Sequence, residues 1–353
     1  MHDGAVARSM PCAGAAVGFA GSTCYTHPVL RIGRLLVRRF LRAIPIVLGI
    51  AVFNFLLLQL APGDAVDVLV GEAGGATPEY VAELRTRFGL DQPVPVQLGR
   101  YLVNVATLDL GYSFRHNMPV ASLILSRLPA TLLLMAGAIG LAFTTGVLLG
   151  VTAARNVRRP LDAIVSVAAL LAYATPVFWI GLMLILLFSV HLQWLPSGGM
   201  LTVGADLAGW GLVVDVLRHL VLPTVTLALF YLALYTRLMR ASMLEVYGQD
   251  YVTTARAKGA SESRVAFHHV LRNALLPMVT MLGLQVGSLL GGSVLVETVF
   301  GWPGLGRLAF EAVFQRDHNL LLGILLLSSV LVVVANIVVD LLYARLDPRI
   351  ELA

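Results

Sequence analysis

The 353-residue sequence predicts an all-α, polytopic membrane protein with six transmembrane helices. Three observations predict it. Hydrophobic residues make up 58% of the chain and charged residues 13%, where an ordinary globular chain carries about 25% charged residues, so a water-exposed surface cannot be built. The apolar residues are gathered into blocks of the ~20 residues that a helix rising ~1.5 Å per residue needs to cross a bilayer. The basic residues flank those blocks instead of forming one basic face, which argues against a nucleic-acid partner.

Residues 1–30 hold one Arg and a short Ala/Gly/Val run, Ala13 to Gly21, too weak for the core of a signal peptide, and read as a disordered N-terminal extension. Residues 31–42 alternate Arg with apolar residues at helical spacing, as an interfacial basic helix does. It feeds an apolar run at 41–61, giving a first span over 43–61. The segment 62–129 is polar and reads as a small helical unit: Thr77 is placed to cap a helix with Pro78 at its first position, and Gly89 to end it. Pro93, Pro95 and Leu110-Gly111 punctuate the rest. This unit is either a functional cap on the outer mouth or a mere connection. Residues 130–343 form a core with spans at about 130–153, 162–190, 219–239, 274–298 and 319–343, leaving a tail over 344–353. Pro176 and Pro223 mark kinks inside spans.

Orientation follows from sorting the basic residues by loop. The segments containing both termini and the second and fourth connections hold 17 of the 25, leaving eight for the other side. By the positive-inside rule both termini are cytoplasmic and 62–129 lies outside, in a cell membrane crossed six times.

Several chemistries lack their residues. All the basic residues except Lys258 are Arg, and Lys258 sits in Ala-Lys-Gly-Ala, so there is no Gly-rich phosphate loop ending in Lys-Ser/Thr. None of the eight histidines opens a His-Glu-x-x-His zinc helix, and Cys12 and Cys24 indicate neither a disulfide framework nor a metal site. Gly292-Ser293 has no evident His partner for a serine nucleophile. Helix packing explains that region better, because Gly283, Gly287 and Gly291 recur every four residues and leave a groove for close approach.

The specific segment is the loop 240–273. It reads Tyr247-Gly-Gln-Asp-Tyr-Val-Thr-Thr-Ala-Arg-Ala-Lys-Gly259-Ala-Ser-Glu-Ser-Arg-Val-Ala-Phe-His-His-Val-Leu-Arg-Asn-Ala-Leu-Leu-Pro277. Two short helices are implied, with Gly259 between them as the residue able to take positive φ. Ser261 is placed to cap the second helix, whose Val265, Phe267, Val270 and Leu271 are spaced to present one apolar face to a groove on another protein.

This loop resembles the EAA-type coupling loop of binding-protein-dependent ABC-importer permeases, and its wording is similar to that of the dipeptide/oligopeptide/nickel family. Thr253, Thr254 and Ala255 stand where the general pattern has Glu-Ala-Ala, so the Glu is absent, and Leu-Leu-Pro277 falls later than that pattern puts it. The resemblance continues through Ala61-Pro-Gly-Asp64, Phe88-Gly-Leu-Asp-Gln-Pro93, Leu110-Gly-Tyr-Ser-Phe114, Thr175-Pro-Val-Phe-Trp-Ile-Gly181, Val296-Glu-Thr-Val-Phe-Gly-Trp-Pro-Gly-Leu-Gly306 and Asp340-Leu-Leu-Tyr-Ala-Arg-Leu-Asp-Pro-Arg349.

The resemblance implies the type I ABC importer permease fold and a transport subunit without its own ATPase site. It also implies a second homologous permease chain, two cytoplasmic ATPase subunits that carry ATP and magnesium, and an extracytoplasmic binding protein that delivers di- or oligopeptides or a related ligand such as nickel or glutathione. No cofactor or metal is expected in this chain itself. Thr254, Ala255, Arg256, Lys258, Gly259, Ala260, Arg264 and Phe267 are then the expected contacts to the ATPase. For the cations, the competing reading is that they only face lipid headgroups.

Two carboxylates stand out. Glu297, at the outer end of the fifth span, is either a gate or a substrate-amine contact, or a structural group that accepts backbone N–H bonds of the following turn or pairs with Arg307. Asp340 lies near the cytoplasmic end of the last span, where it opposes the helix dipole and calls for a cation, with Arg237 or Arg240 as candidates. A stand-alone secondary transporter is the alternative class, and it would call for charges at mid-depth that the spans lack.

Overall fold

The computed structural model describes residues 28–346 except 61–65, 67–69, 71–74, 76 and 114. Most of the expected 1–30 extension, part of the 62–129 segment and the end of the 344–353 tail therefore lie outside the described residues. The chain is mostly helical. Helix α1 is Pro28–Gln59, α2 Pro78–Phe88, α3 Val94–Ala106 and α4 Val120–Arg155. Next come α5, Pro160–Ala174, and α6, Val177–Leu184, which continues as a π-helical stretch, Ile185–His191. Helix α7 is Trp210–Tyr247 and α8 is Asp250–Ala257. The short α9, Glu262–Arg264, runs through a π-helical stretch, Val265–Val270, into α10, Leu271–Val299. Helices α11, Leu305–Phe314, and α12, His318–Leu346, complete the order.

Among the described residues, α4, α7 and the His318–Val339 part of α12 are each long and apolar enough to cross a bilayer. Helices α5 and α6 pass the same test together, but they are bent by 103°. The expected span at 162–190 is thus not one straight helix. Pro176 forces the break: it carries no N–H for the ladder and pushes the preceding residue out of the α region, and Thr175 accordingly sits at ψ 132°. Pro223, by contrast, lies inside the unbroken α7. The expected interfacial helix and first span are also one element, since α1 runs through both without interruption.

The core is built where α4 packs along α7, the most extensive helix pair among the described residues. Leu134, Ala138 and Ala142 from α4 meet Leu227, Tyr231, Tyr235 and Met239 from α7 in one buried cluster. Two glycines four residues apart make this approach possible. A Cβ on Gly146 would lie 2.6 Å from the Tyr235 Cβ, and one on Gly150 would lie 2.6 Å from the Met239 Cβ and 2.8 Å from the Thr236 carbonyl oxygen. Small residues at such spacing let backbones close in where lipid supplies no hydrophobic drive. Helices α5 and α10 also pack on α7, α12 packs on α10, and α1 packs on α12.

The glycines singled out in the sequence behave differently from one another. Gly283 is a close-approach position, because its Cβ would meet Val339 of α12 at 2.6 Å. Gly291 has nothing within 4 Å of its Cβ position, so within this chain it is not one. The surroundings of Gly287 lie outside the described residues.

The region between α1 and α4 holds α2 and α3, with Thr77 accepting the Tyr80 N–H at 3.4 Å and Gly89 ending α2 at φ 68°. Among the described residues it also holds a departure from an all-α chain, a two-residue antiparallel pair of β1, Tyr112–Ser113, with β2, Met118–Pro119. The pair ties this region to α12: the buried Ser113 hydroxyl donates to the Asp317 carboxylate, which in turn accepts the Leu320 N–H at 3.1 Å. Asn319 donates to the Tyr112 carbonyl at 3.2 Å.

Candidate functional site

The segment 250–270 folds as a helix–glycine–helix hairpin. Helix α8 ends in a Schellman motif: the Gly259 N–H donates to the Arg256 carbonyl at 2.9 Å and the Ala260 N–H to the Ala255 carbonyl at 3.2 Å. Gly259 sits at φ 83°, a left-handed conformation that an L side chain adopts at a cost. Nothing lies within 4 Å of its Cβ position, so the backbone alone requires glycine there. Ser261 then caps α9, its hydroxyl accepting the Arg264 N–H at 3.4 Å.

The hairpin is seated by its apolar residues. Val252, Val265 and Val270 are buried against the α4–α7 core, and Ala266 beside them is also buried. This corrects the expected outward apolar face: Val265 and Val270 point into their own chain. The π-helical stretch is the physical reason, because its i to i+5 hydrogen bonds widen the turn and bring 265 and 270 toward one side, with Phe267 on the other. Phe267 is 51% exposed, and Thr254, Arg256, Lys258, Gly259 and Arg264 are exposed around it, with Ala255 and Ala260 half-buried.

Two arginines brace this surface. Across the Gly259 turn, Arg256 Nε donates to Glu262 Oε1 at 2.8 Å and Nη2 to Oε2 at 3.2 Å. The Arg256 guanidinium lies 5.5 Å from the Tyr247 ring at the end of α7. The hydrogen bond from Arg256 holds the Glu262 carboxyl below the ordinary glutamate value, and Glu262 in turn raises Arg256. At the end of α4, Arg155 lies 5.3 Å over the Phe267 ring and reaches the Ser263 hydroxyl at 3.5 Å. Arg155, Tyr247, Arg256 and Glu262 line an open pocket of about 340 Å³. Among the described residues, the Lys258 and Arg264 side chains have no hydrogen-bond or ion-pair partner in this chain.

A second polar cluster closes the other end of α10. Glu297 is fully buried; its Oε1 accepts the Thr131 hydroxyl at 2.8 Å and its Oε2 the Arg307 N–H at 2.9 Å. The Gly306 N–H and the Ser293 hydroxyl are also directed at it. Thr131 accepts the Leu305 N–H at 2.7 Å, and the buried Trp302 donates its indole N–H to the Ala130 carbonyl at 2.9 Å. One carboxylate therefore joins α10, the first turn of α11 and α4.

Sequence reasoning missed Asp162 in α5. Both its oxygens receive Arg240 of α7, from Nε at 2.7 Å and Nη2 at 2.7 Å, and Oδ2 also accepts the Arg158 N–H at 3.3 Å. Arg240 is one of the two cations expected opposite Asp340, whose side chain lies outside the described residues. The other candidate, Arg237, places its guanidinium 5.0 Å over the Tyr173 ring. A signal for Asp162 was present in the sequence: a carboxylate in the first turn after Arg158-Arg159-Pro160 is an N-terminal helix signature.

Comparison with known proteins gives a consistent family. The family described as "Binding-protein-dependent transport system inner membrane component" matches residues 146–352, and the N-terminal component of such systems matches residues 32–135. The "Oligopeptide transport system permease protein AppB" of Bacillus subtilis (strain 168) is 42% identical over 318 residues, covering 90% of this chain and 98% of that protein. The "Di/tripeptide transport system permease protein DppB" of Pseudomonas aeruginosa (strain UCBPP-PA14) is 42% identical over 328 residues, covering 89% and 97%. A solved structure of the MetNI methionine ABC transporter in an inward-facing conformation superposes with a TM-score of 0.52 at 18% identity, covering 64% of this chain and 96% of the matched one. That likeness is one of fold. With apolar spans packed around a seated hairpin and both parts of its sequence matched, the chain is an integral membrane protein that belongs to the family of binding-protein-dependent transport system inner membrane components.

Proposed function

We propose that this chain is the permease subunit of an ATP-driven importer that takes up di- or oligopeptides delivered by an extracytoplasmic binding protein. The observation that carries the reading is the exposed crown of the 250–270 hairpin, with Phe267, Lys258 and Arg264 facing outward above a buried seat of Val252, Val265 and Val270. An exposed knob with an immobile root is the shape needed to receive a push from another protein and pass it to the helices below.

In this reading the chain crosses the membrane six times with both termini in the cytoplasm, counting α1, the bent α5–α6 pair and α10 with the three long spans. The 62–129 region lies outside. A second, homologous permease completes the pore, and two cytoplasmic ATPase subunits, each holding ATP and magnesium, dock one hairpin apiece. The lack of a phosphate loop in this sequence supports placing the motor on those other chains. Thr254, Ala255, Arg256, Lys258, Gly259, Ala260, Arg264 and Phe267 form the docking surface, and Glu297 acts as a structural staple at the outer mouth.

Co-expression with candidate ATPase, second-permease and binding-protein chains from the same organism, and reconstitution in proteoliposomes, tests this. The expected result is co-purification with an ATPase pair and a second permease, and peptide uptake that requires both ATP and the binding protein. Uptake driven by an ion gradient without ATP would overturn it in favour of a secondary transporter.

A further inference from the structure

We propose that the Asp162–Arg240 pair is a positioning element that carries motion of the hairpin into the bent α5–α6 pair and so sets how tightly ATP hydrolysis is coupled to transport. The inference rests on the importer reading above and adds to it the route by which one part of the pore is moved.

The hairpin grips three helices directly. It holds α7 through Arg256 over Tyr247, α4 through Arg155 over Phe267 and onto Ser263, and α10 through Asn273, which donates to the Tyr251 hydroxyl at 2.6 Å. Among the described residues, no hydrogen bond or ion pair joins the hairpin to α5. Helix α5 is instead attached to α7 at Arg240, seven residues before Tyr247 on the same unbroken helix, or roughly 10 Å at ~1.5 Å per residue.

The geometry of that attachment suits transmission. Asp162 is 6% exposed, and the planar fork of Arg240 engages both its oxygens at 2.7 Å. A bidentate guanidinium–carboxylate pair fixes rotation as well as distance. Farther along α5, Arg237 of α7 lies 5.0 Å over the Tyr173 ring, a stacked contact without the paired hydrogen bonds that fix rotation. Displacement of α7 therefore carries the first turn of α5 with it.

Beyond α5 the path continues to the other mouth. Helix α5 ends at the Thr175–Pro176 break, and α6 then lies hard against the end of α10: a Cβ on Gly181 would be 3.1 Å from the Phe300 ring. Phe300 is three residues from Glu297. The bent pair thus reaches from the hairpin end of the molecule to the buried carboxylate cluster, and Asp162–Arg240 is its bidentate attachment to α7.

The test is made on the full importer in proteoliposomes with its binding protein, reading peptide uptake and ATP hydrolysis in the same sample. Asp162→Asn is expected to leave hydrolysis within about twofold and lower uptake roughly 10-fold, the size of effect expected of a residue on a coupling route. Arg240→Lys keeps the charge but loses the fork, and is expected to lower uptake per ATP about threefold. Asp162→Asn combined with Arg240→Gln restores a neutral hydrogen-bonded pair and is expected to recover part of the lost ratio. An unchanged ratio in both single variants would overturn the inference, as would uptake and hydrolysis falling in parallel, which is the result for a pair that only holds the fold. If Asp162→Asn does not accumulate, Arg240→Lys decides alone. Absence of ATP-driven uptake by the unmodified importer would remove the importer reading and this inference with it, whereas a normal ratio in the variants removes the inference only.

Discussion

Glu297 and Arg307 meet through the backbone and not through their charges: the carboxylate accepts the Arg307 N–H at 2.9 Å, while the Arg307 guanidinium turns away to Glu311 at 2.8 Å. The carboxylate thus acts as a remote cap on α11, placed where the first N–H groups of that helix have no partner of their own. Capping from a neighbouring helix holds the angle between α10 and α11, which a local cap would not.

Replacement of Glu297 should therefore depend on what acceptor remains. Glu297→Gln keeps an amide oxygen for the Arg307 and Gly306 N–H groups and turns its NH₂ toward Thr131, so folded yield in detergent should stay near that of the unmodified chain. Glu297→Ala leaves buried donors without an acceptor, each costing about 1–3 kcal/mol. A clear drop in thermal unfolding temperature is expected for Ala and not for Gln. Equal melting of the two variants would show that the cluster does not hold this end together.

The glycines divide by what stands opposite them. At Gly150, Ala would press a methyl against Met239 and the Thr236 carbonyl, at 2.6 and 2.8 Å, so α4 and α7 must part at a cost of about 1–3 kcal/mol. At Gly291 nothing stands within 4 Å, and Ala is the better helix former by about 0.8–1.0 kcal/mol. Thermal unfolding of the isolated chain should fall for Gly150→Ala and hold or rise for Gly291→Ala.

The same glycines show what could be read from the sequence. A period of four is visible both in Gly146 and Gly150 and in Gly283, Gly287 and Gly291, but the period does not say which face meets a helix. The hairpin was more legible: Gly259 and Ser261 are demanded by local backbone chemistry, which acts within a few residues. The direction of Val265 and Val270 was not, since a π-helical stretch changes the period and has no clear residue signature. Partners distant in sequence were the least legible. Thr131 and Glu297 are 166 residues apart, and Asp162 and Arg240 are 78 apart; only the fold brings such pairs together.

The Arg256–Glu262 tie gives a pH dependence with a definite sign. Arg256 lowers the folded-state value of Glu262 below the ordinary glutamate value. Such a group adds stability above its unfolded value, and that contribution is lost as pH falls through the lowered folded value. Both side chains are exposed, so the effect on overall stability is small. The sharper readout is the carboxyl itself: in a ¹³C NMR titration Glu262 should titrate below ordinary glutamates, and Arg256→Gln should return it to their range. A midpoint that does not move would show that the tie is absent in solution.

Gly259 separates backbone strain from bulk. Its φ of 83° excludes most side chains, while the open space around it excludes none by size. Occupying the left-handed region costs an ordinary L-residue roughly 1–2 kcal/mol, whereas Asn visits it routinely. Uptake should therefore fall in the order Gly, Asn, Ala, Val, with the β-branched Val worst because positive φ is a genuine outlier for such residues. Each variant should still reach the membrane, since the buried seat of Val252, Val265 and Val270 is untouched. Ranking by side-chain volume, with Ala milder than Asn, would mean that the turn is crowded by a partner protein, and normal uptake by Gly259→Val would remove the turn from the coupling surface altogether.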